Sequence, residues 1–190
     1  MRKLILASQS PRRRELLESA GYEFEVIAPS EDAEAGEPDG DPTSVYVARL
    51  AVQKAADVAA RVTEPATVIA CDTVAECAGQ VLGKPHDRRH AEAMLRLLSG
   101  REHAVWSGLC LWDTATQEFR VESEVSVLTM APLSASMLDE YLESGAWQGK
   151  SGAFGYQDDH PWLTLTAGTA SNVVGLPMDL LAQMLDELGD

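Results

Sequence analysis

Apolar residues follow two rhythms along the chain, short unbroken runs and stripes at helical spacing, and their order predicts the elements. LILAS (residues 4–8) reads as a short buried strand. SPRRRELLESAG (10–21) follows as a helix, with Ser10 as N-cap, Pro11 as its first residue and Gly21 as its stop. SVYVARLAVQKAADVAARV (44–62) carries Val47, Leu50, Ala51, Ala55, Val58 and Val62 on one helical face. ATVIACDTVAEC (66–77) is a β-branched apolar run that breaks at Asp72 and resumes, before the turn AGQ and the segment VLGKP. DRRHAEAMLRLLSG (87–100) is a second punctuated helix, with Asp87 as cap and Gly100 as stop. HAVWSGLCLWD (103–113), the turn TATQ and EFRVESEVSVLTM (118–130) read as two long antiparallel strands. LSASMLDEYLESG (133–145) is a helix, GKSGAFGYQDDHPW (149–162) a glycine-rich loop and WLTLTAG (162–168) a strand. SNVVGLPMDLLAQMLDELG (171–189) closes as a loop and an amphipathic helix entered through Pro177. PSEDAEAGEPDGDPT (29–43) is too polar for a core element and reads as an exposed loop. No repeat and no long linker divides residues 1–190, so a single domain is expected. Helices interspersed with hairpins and crossovers predict an α/β fold around a mixed sheet.

Composition narrows the class. With 45% hydrophobic residues in 190, the chain can bury a real core. No run approaches the length of a membrane span, and MRKLILASQSPRR lacks the apolar stretch of a signal peptide, so a cytoplasmic protein is expected. Cys71, Cys77 and Cys110 are an odd count in apolar contexts, which suits buried free thiols. The net charge of −15 argues against a nucleic-acid polymer or an anionic membrane as partner. It does not argue against a small anion, which a few local cations can hold.

Arg12, Arg13 and Arg14 form a basic run, and the helix grammar puts the first two in the opening turn. Unpaired N–H groups and the positive dipole end already favour an anion there. Either the run is a solvated face, or an external phosphate sits against it. Lys54 falls on or beside the apolar stripe, where a lysine either snorkels to the edge or serves a phosphate site. GAWQGKSG (145–152) resembles a phosphate loop, but only three residues separate Gly145 from Gly149 where four are needed. His86 and His90 have zinc-ligand spacing, yet the residue after the first histidine is Asp87, better used as a helix cap. What holds together is a scattered set: Ser8, Ser10, Arg12, Arg13, Lys54, Asp72, Thr73, Lys84 and Gln157. Cations for a polyphosphate, a carboxylate for metal or water and a polar reader for a base are what phosphoanhydride hydrolysis needs.

Six ordered segments carry a family resemblance over nearly the whole chain: LILASQSPRRRELL (4–17), VARLAVQKA (47–55), IACDTV with GQVLGKP (69–85), LSGREHAVWSGLCL (98–111), GKSGAFGYQ (149–157) and SNVVGLPMDLL (171–181). The sequence resembles the Maf or Maf-like proteins, which are nucleoside triphosphate pyrophosphatases. The resemblance implies a curved mixed sheet flanked by helices, in two small lobes with a cleft, of Maf/ITPase-like type. It implies that Asp72 activates the water attacking the α-phosphate and also contacts a metal. Arg12, Arg13, Lys54 and Lys84 would neutralise the triphosphate and the departing pyrophosphate, and Ser8 would bind a phosphate oxygen. Glu34 matches an acidic residue that helps hold Mg²⁺ or Mn²⁺, with Glu31 and Asp32 as rivals because the family shows two adjacent acids where this chain has Ala33-Glu34. Thr73 beside Asp72 resembles the members that act on dTTP and UTP rather than 7-methyl-GTP, and Arg12, Thr73 and Gln157 match the positions tied to that preference. Tyr156, in place of an aliphatic residue, and DDHPW after Gln157 depart from the pattern. The departures leave two alternatives: house-cleaning hydrolysis of modified nucleotides, or a nucleotide-binding regulator of septum formation with little turnover. A homodimer is compatible with the family.

Overall fold

The computed structural model describes residues 3–36, 38–158 and 160–189. Its elements in order are β1 (Lys3–Ala7), α1 (Pro11–Ser19), β2 (Phe24–Val26), α2 (Glu31–Glu34), α3 (Thr43–Ala59), β3 (Ala66–Cys77), β4 (Gln80–Leu82) and α4 (Arg88–Leu98). Then follow β5 (Glu102–Asp113), β6 (Phe119–Met130), α5 (Ala135–Ser144), β7 (Leu163–Ala167), α6 (Ala170–Val174) and α7 (Met178–Gly189). The strands form a seven-stranded sheet in the order β2-β1-β3-β5-β6-β7, with β4 paired to β3. β1 runs parallel to β2 and β3, whereas β3–β4 and β6–β7 are antiparallel. This is the mixed α/β sheet that the sequence predicts.

The chain forms two compact units. The first comprises the segment up to Asp72, Ser107–Glu124 and the segment from Gly175 onward; the second comprises Thr73–Trp106 and Val125–Val174. The boundary falls inside three strands, and in β3 it falls between Asp72 and Thr73.

In the first unit the strands are covered on both faces, which is why β1 and the part of β3 before Asp72 read as apolar runs. Ile5, Ala7, Ala66, Val68 and Ala70 pack with Ala51, Ala55, Val58 and Ala59 of α3. The alternate residues Leu6, Ile69 and Cys71 pack with Leu17 of α1 and Leu181 and Met184 of α7. Small side chains let α3 lie close. Gly108 of β5 is buried against it, and a Cβ there would stand 2.3 Å from the Val47 carbonyl oxygen. Any side chain at 108 would push the helix off the sheet.

The second unit has its own core, in which Met94, Leu95 and Leu98 of α4 and Leu138 and Leu142 of α5 meet Phe154 of the glycine-rich segment. The β3–β4 connection is two residues long, Ala78 at φ 51° and Gly79 at φ 74°. Two left-handed residues in succession form the hairpin turn whose twist matches the strands.

Two segments expected as loops contain short helices. α2 interrupts the acidic stretch 29–43, because Ser30 caps it and Glu31, Asp32 and Glu34 lie where a helix start favours negative charge. α6 occupies part of the 171–176 region, with the Thr169 hydroxyl accepting from the Asn172 amide at 3.3 Å. The glycine-rich segment is not wholly irregular either, since it makes 3₁₀ turns at Ser151–Ala153 and Tyr156–Asp158. Among the described residues no helix is long and apolar enough to cross a membrane. Cys71, Cys77 and Cys110 are buried thiols outside any disulfide among the described residues, and burial pushes the Cys110 thiol up to about 12.

Candidate active site

Strand parity aims Asp72. Ala66, Val68 and Ala70 face α3, so two residues further Asp72 continues on the same face, at the end of the stretch where β3 pairs with β1. The α3 stripe Val47, Leu50, Ala51, Ala55 and Val58 includes Lys54, and that stripe rests on the same face. The lysine therefore meets the carboxylate: Lys54 Nζ donates to Asp72 Oδ1 at 2.6 Å. Lys54 does not snorkel. Its side chain is 7% exposed and that of Asp72 is 14% exposed. A second carboxylate shares the ammonium, with Glu34 Oε1 3.8 Å from Lys54 Nζ. Glu31 and Asp32 are exposed at the start of α2, so of the three loop acids Glu34 is the one beside Asp72's lysine.

Burying such a cluster is expensive unless the charges are paired, and replacement by apolar residues is often neutral or stabilising. The cluster is thus poor evidence for stability and better evidence for chemistry. A cationic centre already stands between two hard carboxylate oxygens, and a small dication takes one or two carboxylates together with water and phosphate oxygens. The donors fit Mg²⁺ or Mn²⁺ on those terms. Among the described residues no group of three or more His, Cys, Asp or Glu side chains could hold a metal through protein ligands alone.

The second element of the site begins where β1 ends. Ser8 is buried, and its Oγ accepts from the Ser10 amide at 3.1 Å and from Arg13 Nη1 at 3.2 Å. Arg13 Nε donates to the Gly175 carbonyl at 2.6 Å, and the Cys71 thiol reaches the same oxygen at 3.3 Å. One backbone carbonyl therefore ties α1 to the residue preceding Asp72. Arg13 was expected at the phosphates; its Nε and Nη1 donate within the protein, bracing Ser8 and the α1 entry. Arg12 is half-buried in the first turn of α1. Ser10 stands at the N-cap position but makes no side-chain cap hydrogen bond, and Pro11 follows. The first-turn amides are not taken by that hydroxyl, which leaves a helix start suited to an anion.

Thr73, Lys84 and Gln157 belong to the second unit. Thr73 is half-buried, and its carbonyl accepts from Ser151 Oγ at 2.8 Å, fastening the glycine-rich segment to the residue after Asp72. Lys84 is exposed, as is Gln157 on its 3₁₀ turn. Lys150 pairs with Asp158 across Gly155, where a Cβ would stand 2.4 Å from Lys150 Nζ and 2.5 Å from Asp158 Oδ2. That pair, together with Gly145 as the left-handed C-cap of α5, gives GAWQGKSG a use other than a phosphate loop. Asp159 of the DDHPW segment lies outside the described residues; His160 stacks on Trp162 at 4.5 Å between ring centroids. His86 and His90 lie at a helix start, with Asp87 accepting from the His90 amide at 2.7 Å as its cap.

Sequence reasoning missed three supports. The Gly175 carbonyl is a backbone atom with no side-chain signal, and the pairing of Ser30 with Asp57 spans 27 residues. Gly108 had a signal, a glycine inside an apolar strand, which often marks close backbone approach.

The family model described as "Maf-like protein" matches residues 3–188. A dTTP/UTP pyrophosphatase of Rhodopirellula baltica is 52% identical over 184 residues, covering 96% of this chain and 81% of the relative. A dTTP/UTP pyrophosphatase of Symbiobacterium thermophilum is 43% identical over 190 residues, covering 100% and 95%. Among solved structures, the Staphylococcus aureus Ham1 protein aligns with a TM-score of 0.55 at 14% identity, over 97% of this chain and 98% of that one, a likeness of fold alone. The chain belongs to the Maf-like protein family.

Proposed function

We propose that the chain is a nucleoside triphosphate pyrophosphatase that converts dTTP or UTP to the monophosphate and pyrophosphate. The observation that carries the reading is the buried Lys54 ammonium shared by Asp72 and Glu34, at the end of a strand paired with the one that leads into α1. The base preference rests on two relatives named dTTP/UTP pyrophosphatase and on Thr73 following Asp72.

In this reading Asp72 takes a proton from the water that attacks the α-phosphorus. The new bond joins the water oxygen to that phosphorus, and the bond to the α–β bridging oxygen breaks, so pyrophosphate departs. Lys54 keeps the Asp72 carboxylate oriented and offers positive charge beside the reacting phosphate. Arg12 and the α1 amides take phosphate oxygens, while Arg13 and the Gly175 carbonyl hold that helix start and Ser8 in place. Lys84 neutralises the leaving pyrophosphate, and the Gln157 amide reads the pyrimidine edge. Glu34 and Asp72 would hold Mg²⁺ or Mn²⁺, which when bound draws electron density from phosphate oxygens and helps offset charge on the leaving group.

The test is a panel of nucleoside triphosphates with magnesium or manganese, comparing kcat/KM and identifying products. The expected result is pyrophosphate from every substrate turned over, with dTTP and UTP preferred. Orthophosphate with a diphosphate, or tight binding without turnover, would overturn the reading; a modified nucleotide turned over faster would keep the chemistry and change the substrate.

A further inference from the structure

One side chain fastens α2 to α3. Asp57 Oδ2 accepts from the Ser30 amide at 3.0 Å, and Oδ1 accepts from Ser30 Oγ at 2.8 Å. The same Ser30 Oγ accepts from the Ala33 amide at 3.4 Å as the N-cap of α2. Arg61 closes the other side, its Nη2 donating to Asp57 Oδ2 and to the Ala28 carbonyl, each at 2.7 Å. The hydrogen bonds from Ser30, with Arg61 beside them, hold the Asp57 carboxyl below the usual carboxylate range. The Gln53 amide adds a contact to the Asp32 carbonyl at 3.5 Å.

The placement has a geometric consequence. Lys54 and Asp57 are three residues apart on α3, roughly one turn. The helix that offers its ammonium to Glu34 thus also fixes the cap four residues before Glu34. A four-residue helix has too few internal hydrogen bonds to persist alone, so its orientation comes from what it is tied to. Buried Ala33, the Gln53 contact and, with two hydrogen bonds at the cap, the Ser30–Asp57 pair are those ties.

We propose that Asp57 is a positioning residue for the divalent-cation site: acting through the Ser30 cap, it sets α2 so that the Glu34 carboxylate faces Lys54 and Asp72. The proposal rests on the reading of Glu34 as a metal-holding residue given above. Groups that orient metal-binding carboxylates commonly influence affinity about tenfold or more while leaving the reacting groups untouched.

The experiment is a Mn²⁺ titration of the full chain without nucleotide, followed by electron paramagnetic resonance, for the unaltered protein and for Glu34→Gln, Asp57→Ala, Ser30→Ala and Ser30→Thr. Steady-state kcat is measured in parallel at saturating Mn²⁺. Asp57→Ala and Ser30→Ala are expected to raise the Kd for Mn²⁺ about tenfold, and Ser30→Thr, which keeps the hydroxyl, by less than about twofold. kcat at saturating metal should stay near that of the unaltered protein. Ser30→Ala keeps the backbone bond to Asp57, so it provides the reading if Asp57→Ala does not fold. Weakened binding in Glu34→Gln with unchanged Kd in the Asp57 and Ser30 variants would overturn the positioning role. An unchanged Kd in Glu34→Gln would instead overturn the metal role of Glu34, and this proposal with it.

Discussion

The two units hold their candidate residues by opposite means. In the first unit, the buried Lys54 ammonium donates to Asp72 and stands 3.8 Å from the half-buried Glu34 carboxylate, and Arg13 braces Ser8 from a buried position. In the second, Gln157 and Lys84 are exposed, and Gln157 rides on a 3₁₀ turn between glycine 155 and the Lys150–Asp158 pair. Bond cleavage needs charges fixed in advance, because reorganising them during the reaction would add to the barrier. Base reading tolerates exposure, because a hydrogen-bonding amide on a turn can be exchanged or shifted without disturbing a core. In the proposed function, the constant part of the chemistry belongs to the buried residues of the first unit and the adjustable part to the glycine-rich segment.

The strongest way to break that contrast is Asp72→Asn. The amide keeps an oxygen for Lys54 but loses the base, so kcat should fall by about 10³-fold while circular dichroism stays unchanged. Lys54→Met comes next. It should lower kcat/KM about 10²-fold and leave Asp72 beside Glu34 without their shared cation, costing on the order of 3 kcal/mol in urea unfolding. A Lys54→Met protein of unaltered activity would show the cluster to be structural.

Gln157→Ala sharpens the other side of the comparison. It should flatten the preference for pyrimidine triphosphates about tenfold in kcat/KM and leave stability unchanged, since the side chain is exposed. Gly155→Ala should give a milder version of the same loss, because the added methyl displaces the Lys150–Asp158 pair.

The smallest effect on activity concerns His103, which packs edge-on to Phe154 at 5.1 Å between ring centroids. Burial pushes its imidazole down to about 4, against a smaller raising effect of the Arg101 backbone. Between about pH 6.5 and 4 the unfolded chain binds a proton that the native one refuses. Stability contributed by the neutral ring is therefore full above about 6.5 and lost as pH falls through 4, on the order of 3 kcal/mol in all. Urea titrations across that window should show the slope, and His103→Leu should remove it.

Much of this is legible in the sequence alone. The Asp72 break in β3, the α1 punctuation and the Lys54 stripe are local patterns, whereas the meeting of Lys54 with Asp72 depends on how α3 lies on β3 and came from the structure. The short helices α2 and α6 were not legible, because four or five residues carry no helical period. Nor was the brace through the Gly175 carbonyl, since a backbone oxygen looks the same in every residue. The Ser30–Asp57 pair escaped for a related reason: both residues read as ordinary surface polars until the chain folds them together.

The most direct test of the central claim is hydrolysis of dTTP in oxygen-18 water with magnesium, followed by mass spectrometry of both products. Attack on the α-phosphorus by water activated at Asp72 predicts the label in the nucleoside monophosphate and none in pyrophosphate. Label in pyrophosphate, or in released orthophosphate, would contradict it.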